Sequence, residues 1–579
     1  MAARQPDRAA IKVPRGRTRD GRIDYLSLTF RELDAEVDAW VELLRRKGVR
    51  KGDRVLVMVR QGLPLIAAAF ALFKLGAVPV IVDPGMGRKN FLACVARSQP
   101  RVLLGIPLAQ LMSHVFRAAF GTVEIRVWAS GSPTARTSRS PEAVNRNAEI
   151  VNSAATDLAA ILFTSGSTGA PKGVCYEHGM FDAQVRLVRD TYGIEPGEVD
   201  LPMLPIFALF NPALGMTTIV PEIDPSRPAS VDPAKIVQAI RQEGVTNSFG
   251  SPTLWRKIAA HCRRERTTLP SLRRVLMAGA PVPPALFADV QEIMPNGLAH
   301  SPYGATESLP VASISAREVL GETGAATAAG RGTCVGRPVT GVQVKIIAIS
   351  DGPVATLADT RELPPGEIGE IIVTGPVVTK EYDRLPAATM LAKIQAPNPK
   401  HRTNPENPGQ ADPFGICDLA SGVSAPAGAV WHRLGDVGYL DAQRRLWFCG
   451  RKAERVEGHE GPLYTEQVEP IFNAHPRVAR TALIGVGPDG RRPAIVVEPR
   501  SREVVATASL RRKLVREIRE LGAKHPHTAR VRLTYLHPHF PVDVRHNAKI
   551  HRLTLARWAS THQGYESDKR EVPLEALQR

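Results

Sequence analysis

Between Arg54 and Val82 the apolar residues fall into three runs, and these constrain the fold more than any other stretch of the chain. Arg54–Val59 is a short β-type run, Pro64–Leu75 reads as a buried helix, and Val78–Val82 is a second β-type run. Arg60, Pro64, Lys74 and Pro79 interrupt the stretch, so it is strand, helix, strand rather than a membrane span. Strand–helix–strand order predicts a mostly parallel sheet covered by helices. The rhythm recurs downstream. Ala159–Phe163 is a strand that runs into glycines, Lys235–Glu243 a helix and Arg274–Met277 a strand. Upstream, Phe30, Leu33, Val37, Val41 and Leu44 stand at helical spacing, and Gly48 is the stop signal.

A chain of 579 residues is too long for one core, and two or three domains are expected. The pattern changes between Val335 and Leu446, where Val342–Ile349 and Glu370–Val373 read as strands bounded by Gly and Pro. This predicts a β-rich subdomain over about residues 335–450. Within it, Gln395 to Val430 carries six prolines and little apolar periodicity. It reads as a long loop, either a disordered insertion or an ordered lid. After Gly450, Thr481–Val486 and Ala494–Val497 read as paired strands around a Pro-Asp-Gly turn. Ser509–Leu521 follows as an amphipathic helix and Val531–Leu536 as a strand. The expected fold class is therefore α/β. A large N-terminal domain (1–450) holds mixed and parallel sheets with helices, and a small, mobile α+β domain (451–579) follows.

Lys and Arg number 75 against 57 Asp and Glu, a net charge of +18. The basic residues are scattered and no nucleic-acid-binding module accompanies them, so the excess reads as a solvated surface rather than a nucleic-acid site. Six widely spaced cysteines, without a C-x-x-C pair, suggest neither a zinc site nor a disulfide framework and fit a reducing cytoplasm. Cys175 reads as a buried filler. The N-terminus is polar, without an apolar targeting segment, and no transmembrane segment is expected.

The chemistry is concentrated in Ile161-Leu-Phe-Thr-Ser-Gly-Ser-Thr-Gly-Ala-Pro-Lys-Gly173. Here a buried strand enters a loop with three glycines, the hydroxyls of Thr164, Ser165, Ser167 and Thr168, and Lys172. Gly166 and Gly169 let backbone N–H groups approach an anion, the hydroxyls add donors, and Lys172 adds a mobile charge. The combination suits a polyphosphate. It is not the G-x-x-x-x-G-K-[ST] loop.

This loop resembles the phosphate loop of the adenylate-forming superfamily, which includes acyl-CoA synthetases, luciferases and peptide-synthetase adenylation domains. Further motifs occur in the family's order across about residues 25–555. Tyr303-Gly304-Ala305-Thr306-Glu307 is similar to the adenine-and-metal motif. The resemblance implies that Tyr303 stacks on adenine, Thr306 contacts the α-phosphate and Glu307 binds Mg²⁺. An aromatic face suits a purine and a carboxylate suits Mg²⁺. Gly279-Ala280-Pro281 resembles the backbone segment beside adenine. Trp431–Asp436 resembles the segment whose Asp holds the ribose hydroxyls, a pairing that suits a carboxylate. Arg451 stands where the family places an Arg near ribose and phosphate. The usual hinge residue is replaced by Ala453. Near the C-terminus, Lys549 follows Ala548 where the family has a Gly-Lys pair. Lys549 is thereby implied to bridge the substrate carboxylate and the α-phosphate. The cofactors implied are ATP and Mg²⁺.

Two departures bear on the step after adenylation. The glycine-rich thiol tunnel of coenzyme-A-using relatives is replaced by the bulkier Arg455–Tyr464. The His common after Pro-x-Phe is Ala208 in Leu204–Gly215. That run and the Pro541–Lys549 ending look closely like the olefin β-lactone synthetases of bacterial long-chain hydrocarbon biosynthesis. The resemblance implies adenylation of a long-chain β-hydroxy acid and attack by its own hydroxyl to close a β-lactone. It also implies companion enzymes of an olefin pathway. Phe207, Phe210, Phe249 and Pro252 are candidate walls for the alkyl chain or, equally, core residues. No base for the hydroxyl is identified; His178 sits where the family has a structural His. The alternatives are a medium- or long-chain fatty acyl-CoA synthetase and a non-catalytic nucleotide-binding protein.

Overall fold

The computed structural model describes residues 1–129, 151–164, 170–224, 230–395, 429–542, 550–567 and 570–572. Strands Arg54–Met58 and Val78–Val82 flank helix Leu63–Leu75. The two strands pair in parallel, Arg54 opposite Val78. The helix has Pro64 in its first turn and ends on Gly76 at φ 64°, a left-handed cap that glycine adopts without strain. Its alanines Ala67, Ala68 and Ala71 are fully buried, so small side chains let it lie close against its neighbours. Helix Phe30–Arg46 packs on it through Phe30, Leu33, Val37, Trp40, Val41 and Leu44. A reciprocal Thr29–Glu32 cap fixes its start.

Six strands make this first sheet, in the order Ile125–Trp128, Val102–Gly105, Arg54–Met58, Val78–Val82, Leu158–Thr164, Lys172–Glu177. All neighbours are parallel except the last pair, which is antiparallel. The strand expected over Ala159–Phe163 thus lies inside the sheet, buried between neighbours, and delivers the chain to its edge at Thr164.

A second sheet has 14 strands. Its centre sets Val199–Pro202, Asn247–Gly250, Arg274–Met277 and Leu298–Ala305 side by side in parallel. Helices Pro233–Glu243, Pro252–Arg264 and Pro284–Ile293 cover one face, where Trp255, Ile258, Phe287 and Val290 are buried. Leu298–Ala305 then turns back as Ser308–Ser315. Thr333–Pro338 continues the ladder to Leu446–Arg451, Val430–Leu440, Gly369–Thr374 and Gln343–Ile347. The β-rich stretch read from the sequence is therefore hydrogen-bonded into the same sheet as the parallel strands. Thr333–Pro338 carries the connection by pairing on both sides. Most of the Pro-rich loop, residues 396–428, lies outside the described residues.

Beyond Arg451, Val456–Gly458 and Gly461–Leu463 form a two-stranded ribbon, and the later strands form a five-stranded sheet, Val478–Val486, Arg492–Pro499, Leu533–Leu536, Gly564–Ser567 and Arg570–Val572. The first two strands of this sheet pair antiparallel, Leu483 opposite Ile495. Helix Ala508–Gly522 buries Leu514, Val515 and Ile518 against them. Val542 and Ile550 form an antiparallel bridge. Arg552 then binds Glu469 through two bonds of 2.9 and 2.7 Å and Glu454 at 2.8 Å. Among the described residues no helix is long and apolar enough to cross a membrane.

Candidate active site

The parallel strands explain why residues far apart in sequence share one edge. Ligands of open α/β sheets bind outside the carboxyl ends of the strands. At that edge, Val199–Pro202 leads into Phe207 and Phe210, and Asn247–Gly250 into Ser251 and Pro252. Arg274–Met277 leads into Gly279, Ala280 and Pro281, and Leu298–Ala305 carries Tyr303, Gly304 and Ala305. Gly279 adopts φ 97°, and the exposed Pro281 stands two residues on, so this stretch presents backbone rather than bulk.

Thr306 and Glu307 form the turn between Leu298–Ala305 and Ser308–Ser315. The turn leaves no room at Gly304, where a Cβ would stand 2.6 Å from the Ser308 carbonyl. Tyr176 donates its hydroxyl to the Thr306 carbonyl. Thr379 donates both its N–H (2.9 Å) and its hydroxyl (3.2 Å) to the Glu307 carbonyl. The Glu307 carboxylate accepts the Tyr382 phenol at 2.7 Å. Burial and the Glu307 charge together push that phenol well above its ordinary range.

The phosphate-loop strands meet the same cluster. Thr164 pairs with Lys172 across the antiparallel ladder, and Ser165, Gly166, Ser167, Thr168 and Gly169 between them lie outside the described residues. Gly173 is held under the Phe163 ring, where a Cβ would stand 2.8 Å from Cζ. Val174 forms a bridge with Tyr382, and Asp383 donates its N–H to the Gly173 carbonyl at 2.7 Å. Lys172 Nζ accordingly lies 4.8 Å from the centre of the Tyr382 ring. Lys172, Tyr382 and Glu307 form a continuous line.

Asp436 and Arg451 are direct partners across the Val430–Leu440 and Leu446–Arg451 ladder. Their side chains pair at 2.7 Å, and the Tyr303 phenol donates to the other Asp436 oxygen at 2.5 Å. Burial and this carboxylate hold the Tyr303 phenol well above its ordinary range, so it stays a donor at neutral pH. The Tyr303 ring itself lies 6.0 Å from Phe448. The structure thus sets Tyr303 and Arg451 on the two oxygens of Asp436, near the turn that carries Thr306 and Glu307.

Of the candidate alkyl-chain walls, Phe207 and Phe249 stack at 3.7 Å between ring centres, and Phe210 follows at 6.2 Å from Phe207. Phe249 and Pro252 are buried and Phe207 and Phe210 half-buried. Cys175 is buried beside Ile161 and Phe163, and burial pushes its thiol up to about 12. Lys549 lies outside the described residues.

Four residues here were not singled out from the sequence: Thr379, Tyr382, Lys393 and His432. Lys393 is 4% exposed and donates to the carbonyl and, at 3.2 Å, to the hydroxyl of Thr379. Burial lowers its ammonium to about 7, while the Glu307 charge pulls it back up. His432, across the ladder from Lys393, holds the Ala392 carbonyl through Nδ1 at 3.1 Å and is kept neutral by burial. The available signal was weak. Thr379-Lys-Glu-Tyr382 is an ordinary polar loop sequence, and only its pairing with Val174 gives it a place in the site.

Residues 1–383 match the family described as "AMP-binding enzyme". The chain is 44% identical over 567 residues to the olefin beta-lactone synthetase of Xanthomonas campestris pv. campestris, covering 97% of this chain and 96% of that one. It is 45% identical over 572 residues to the olefin beta-lactone synthetase of Stenotrophomonas maltophilia, with the same coverage. Its fold is similar to that of o-succinylbenzoate coenzyme A synthetase from Bacillus subtilis, solved in complex with ATP and magnesium ion. That likeness has a TM-score of 0.67 at 21% identity and covers 96% of this chain and 98% of that one. The sheet-edge cluster, the motif order and the near-full-length identity agree, and the chain belongs to the AMP-binding enzyme family, the adenylate-forming enzymes, alongside the olefin beta-lactone synthetases.

Proposed function

We propose that this protein adenylates a long-chain β-hydroxy acid with ATP and then closes the acyl-adenylate to a β-lactone. The observation that carries the reading is the 44–45% identity to olefin beta-lactone synthetases over 97% of the chain. The geometry supports the first half-reaction. In it a carboxylate oxygen attacks the α-phosphorus, the bond from that phosphorus to the bridging oxygen breaks, and pyrophosphate leaves.

Tyr303 offers an aromatic face for adenine, beside the open backbone of Gly279–Pro281. Asp436 suits ribose hydroxyls, since both carboxylate oxygens accept hydrogen bonds. Arg451 lies beside it. Lys172 and the loop Thr164–Gly169 would take the β- and γ-phosphates, and Thr306 the α-phosphate. Glu307 suits Mg²⁺, because that ion is commonly held by one or two carboxylates plus substrate phosphates. Bound there, Mg²⁺ would offset charge on the triphosphate. Lys549 would bring its ammonium to the α-phosphate and the incoming carboxylate. Both reactants are anionic, so preorganised cations and N–H dipoles lower the barrier where charge builds. Residues 451–579 would act as the lid that carries Lys549.

In the second half-reaction the β-hydroxyl oxygen attacks the acyl carbon, its proton leaves, and the bond to AMP breaks. Holding hydroxyl and carbonyl in a near-attack pose supplies part of the roughly 7–11 kcal/mol available from orientation. The stacked Phe207 and Phe249, with Phe210, would flank the alkyl chain and exclude water from the adenylate. The bulk of Arg455–Tyr464 favours this internal acceptor over a thiol. The test is purified protein with ATP, Mg²⁺ and a long β-hydroxy acid, with and without coenzyme A. β-Lactone and AMP without coenzyme A are expected. A coenzyme-A-dependent thioester as the product would overturn the second half of the proposal, and no AMP would overturn both halves.

A further inference from the structure

An ammonium buried without a carboxylate partner is costly, because desolvation amounts to several kcal/mol per ion. Lys393 is such a group. It is 4% exposed, and among the described residues no carboxylate forms an ion pair with it. What it does instead has a fixed polarity. Its Nζ donates to the Thr379 hydroxyl, which accepts there and turns its own proton elsewhere. That proton points to the Glu307 carbonyl, which also takes the Thr379 N–H. The other end of Glu307 is gripped by the Tyr382 phenol. The Tyr382 ring is flanked by Lys172 at 4.8 Å and Lys393 at 5.9 Å. Glu307 is therefore held at its main chain by Thr379 and at its carboxylate by Tyr382. Lys393 stands behind both.

We infer that Lys393 is a positioning residue: through Thr379, and together with Tyr382, it fixes Glu307 so that the carboxylate faces the divalent cation of the nucleotide. The inference rests on reading Glu307 as the cation ligand. Partners that orient a metal ligand commonly change metal affinity or activity by about 10–100-fold when removed. The geometry here has the same form, a donor on each end of the ligand and a cation that orients one of them.

The experiment measures ATP binding by calorimetry across a range of Mg²⁺ concentrations, with no acid present so that adenylation does not occur. Lys393→Met and Thr379→Val are each expected to raise the Mg²⁺ concentration for half-maximal enhancement about 10-fold. Thr379→Ser, which retains the hydroxyl, should remain near wild type. ATP binding without Mg²⁺ should be unchanged in all three. Glu307→Gln separates the two levels of the argument. If it retains wild-type Mg²⁺ dependence, the reading of Glu307 fails and the inference falls with it. If Glu307→Gln loses the dependence while Lys393→Met and Thr379→Val keep it, only the positioning role is overturned. Equal weakening with and without Mg²⁺ in the last two variants would mark Lys393 as a folding residue and also overturn it. Should Lys393→Met not fold, Thr379→Val decides, since it removes the relay without burying or exposing a charge.

Discussion

The contact between Tyr303 and Asp436 gives a prediction that can be worked to a number. The phenol donates to a largely buried carboxylate at 2.5 Å, and Arg451 holds the other oxygen at 2.7 Å. A hydrogen bond to a charged group contributes about 1.5–3 kcal/mol. Tyr303→Phe should therefore destabilise the large sheet by about that amount in a denaturant titration. In an Asp436→Asn background the acceptor is neutral, and the same change should cost about 1 kcal/mol. The double-mutant cycle thus predicts a coupling of about 0.5–2 kcal/mol. Because the phenol is held above its ordinary range, the coupling should not change between pH 6 and 9. Nucleotide binding separates the two residues further. Tyr303→Phe keeps the ring and frees an Asp436 oxygen, so ATP affinity should fall by less than about fivefold, equivalent to roughly 1 kcal/mol. Asp436→Asn removes the charge that would take the ribose hydroxyls and should weaken ATP about 10- to 100-fold. Additivity of the two substitutions within about 0.5 kcal/mol, or equal effects on ATP, would refute the argument.

Three other outcomes are expected of the same structure. Lys549→Ala should lower ATP–pyrophosphate exchange by about 10²–10³-fold with ATP binding and the unfolding transition unchanged, as expected for one lost transition-state donor; wild-type exchange would remove Lys549 from the mechanism. Phe207→Ala opens the stack with Phe249 and should raise KM for long acids about 10-fold with KM for ATP unchanged, since one large apolar contact is worth roughly 1–3 kcal/mol; equal change for short and long acids would argue against an alkyl pocket. Burial pushes the Asp200 carboxyl up to about 7, with Asn211 bonded to it at 2.9 Å. A raised carboxyl contributes stability that is complete below about pH 4 and lost as pH rises through 7. Asp200→Asn should therefore gain about 2–4 kcal/mol on wild type between pH 4 and pH 8, and a pH-independent difference in unfolding would contradict it.

The sequence by itself determined the elements and the identity of the chemistry. Apolar runs such as Val78–Val82 and Arg274–Met277 are strands over the residues read from the pattern, because a strand buried on both faces must be apolar throughout. The loop Thr164–Gly173 was legible because glycines, hydroxyls and a lysine after a buried strand suit a polyphosphate, and the run Tyr303–Glu307 through its resemblance to a family motif. Only the tertiary structure decided which residues support them. Tyr382 and Lys393 lie about as far along the chain from Glu307 as helices and strands of unrelated role, and nothing local marks them. They reach Glu307 because Tyr382 pairs with Val174 and Lys393 with His432, long-range pairings whose register no local pattern encodes. The sequence likewise split the β-rich stretch from the parallel strands, whereas the ladder through Thr333–Pro338 joins them. Backbone pairing between distant segments depends on which edges meet in the folded chain, and composition carries no trace of it.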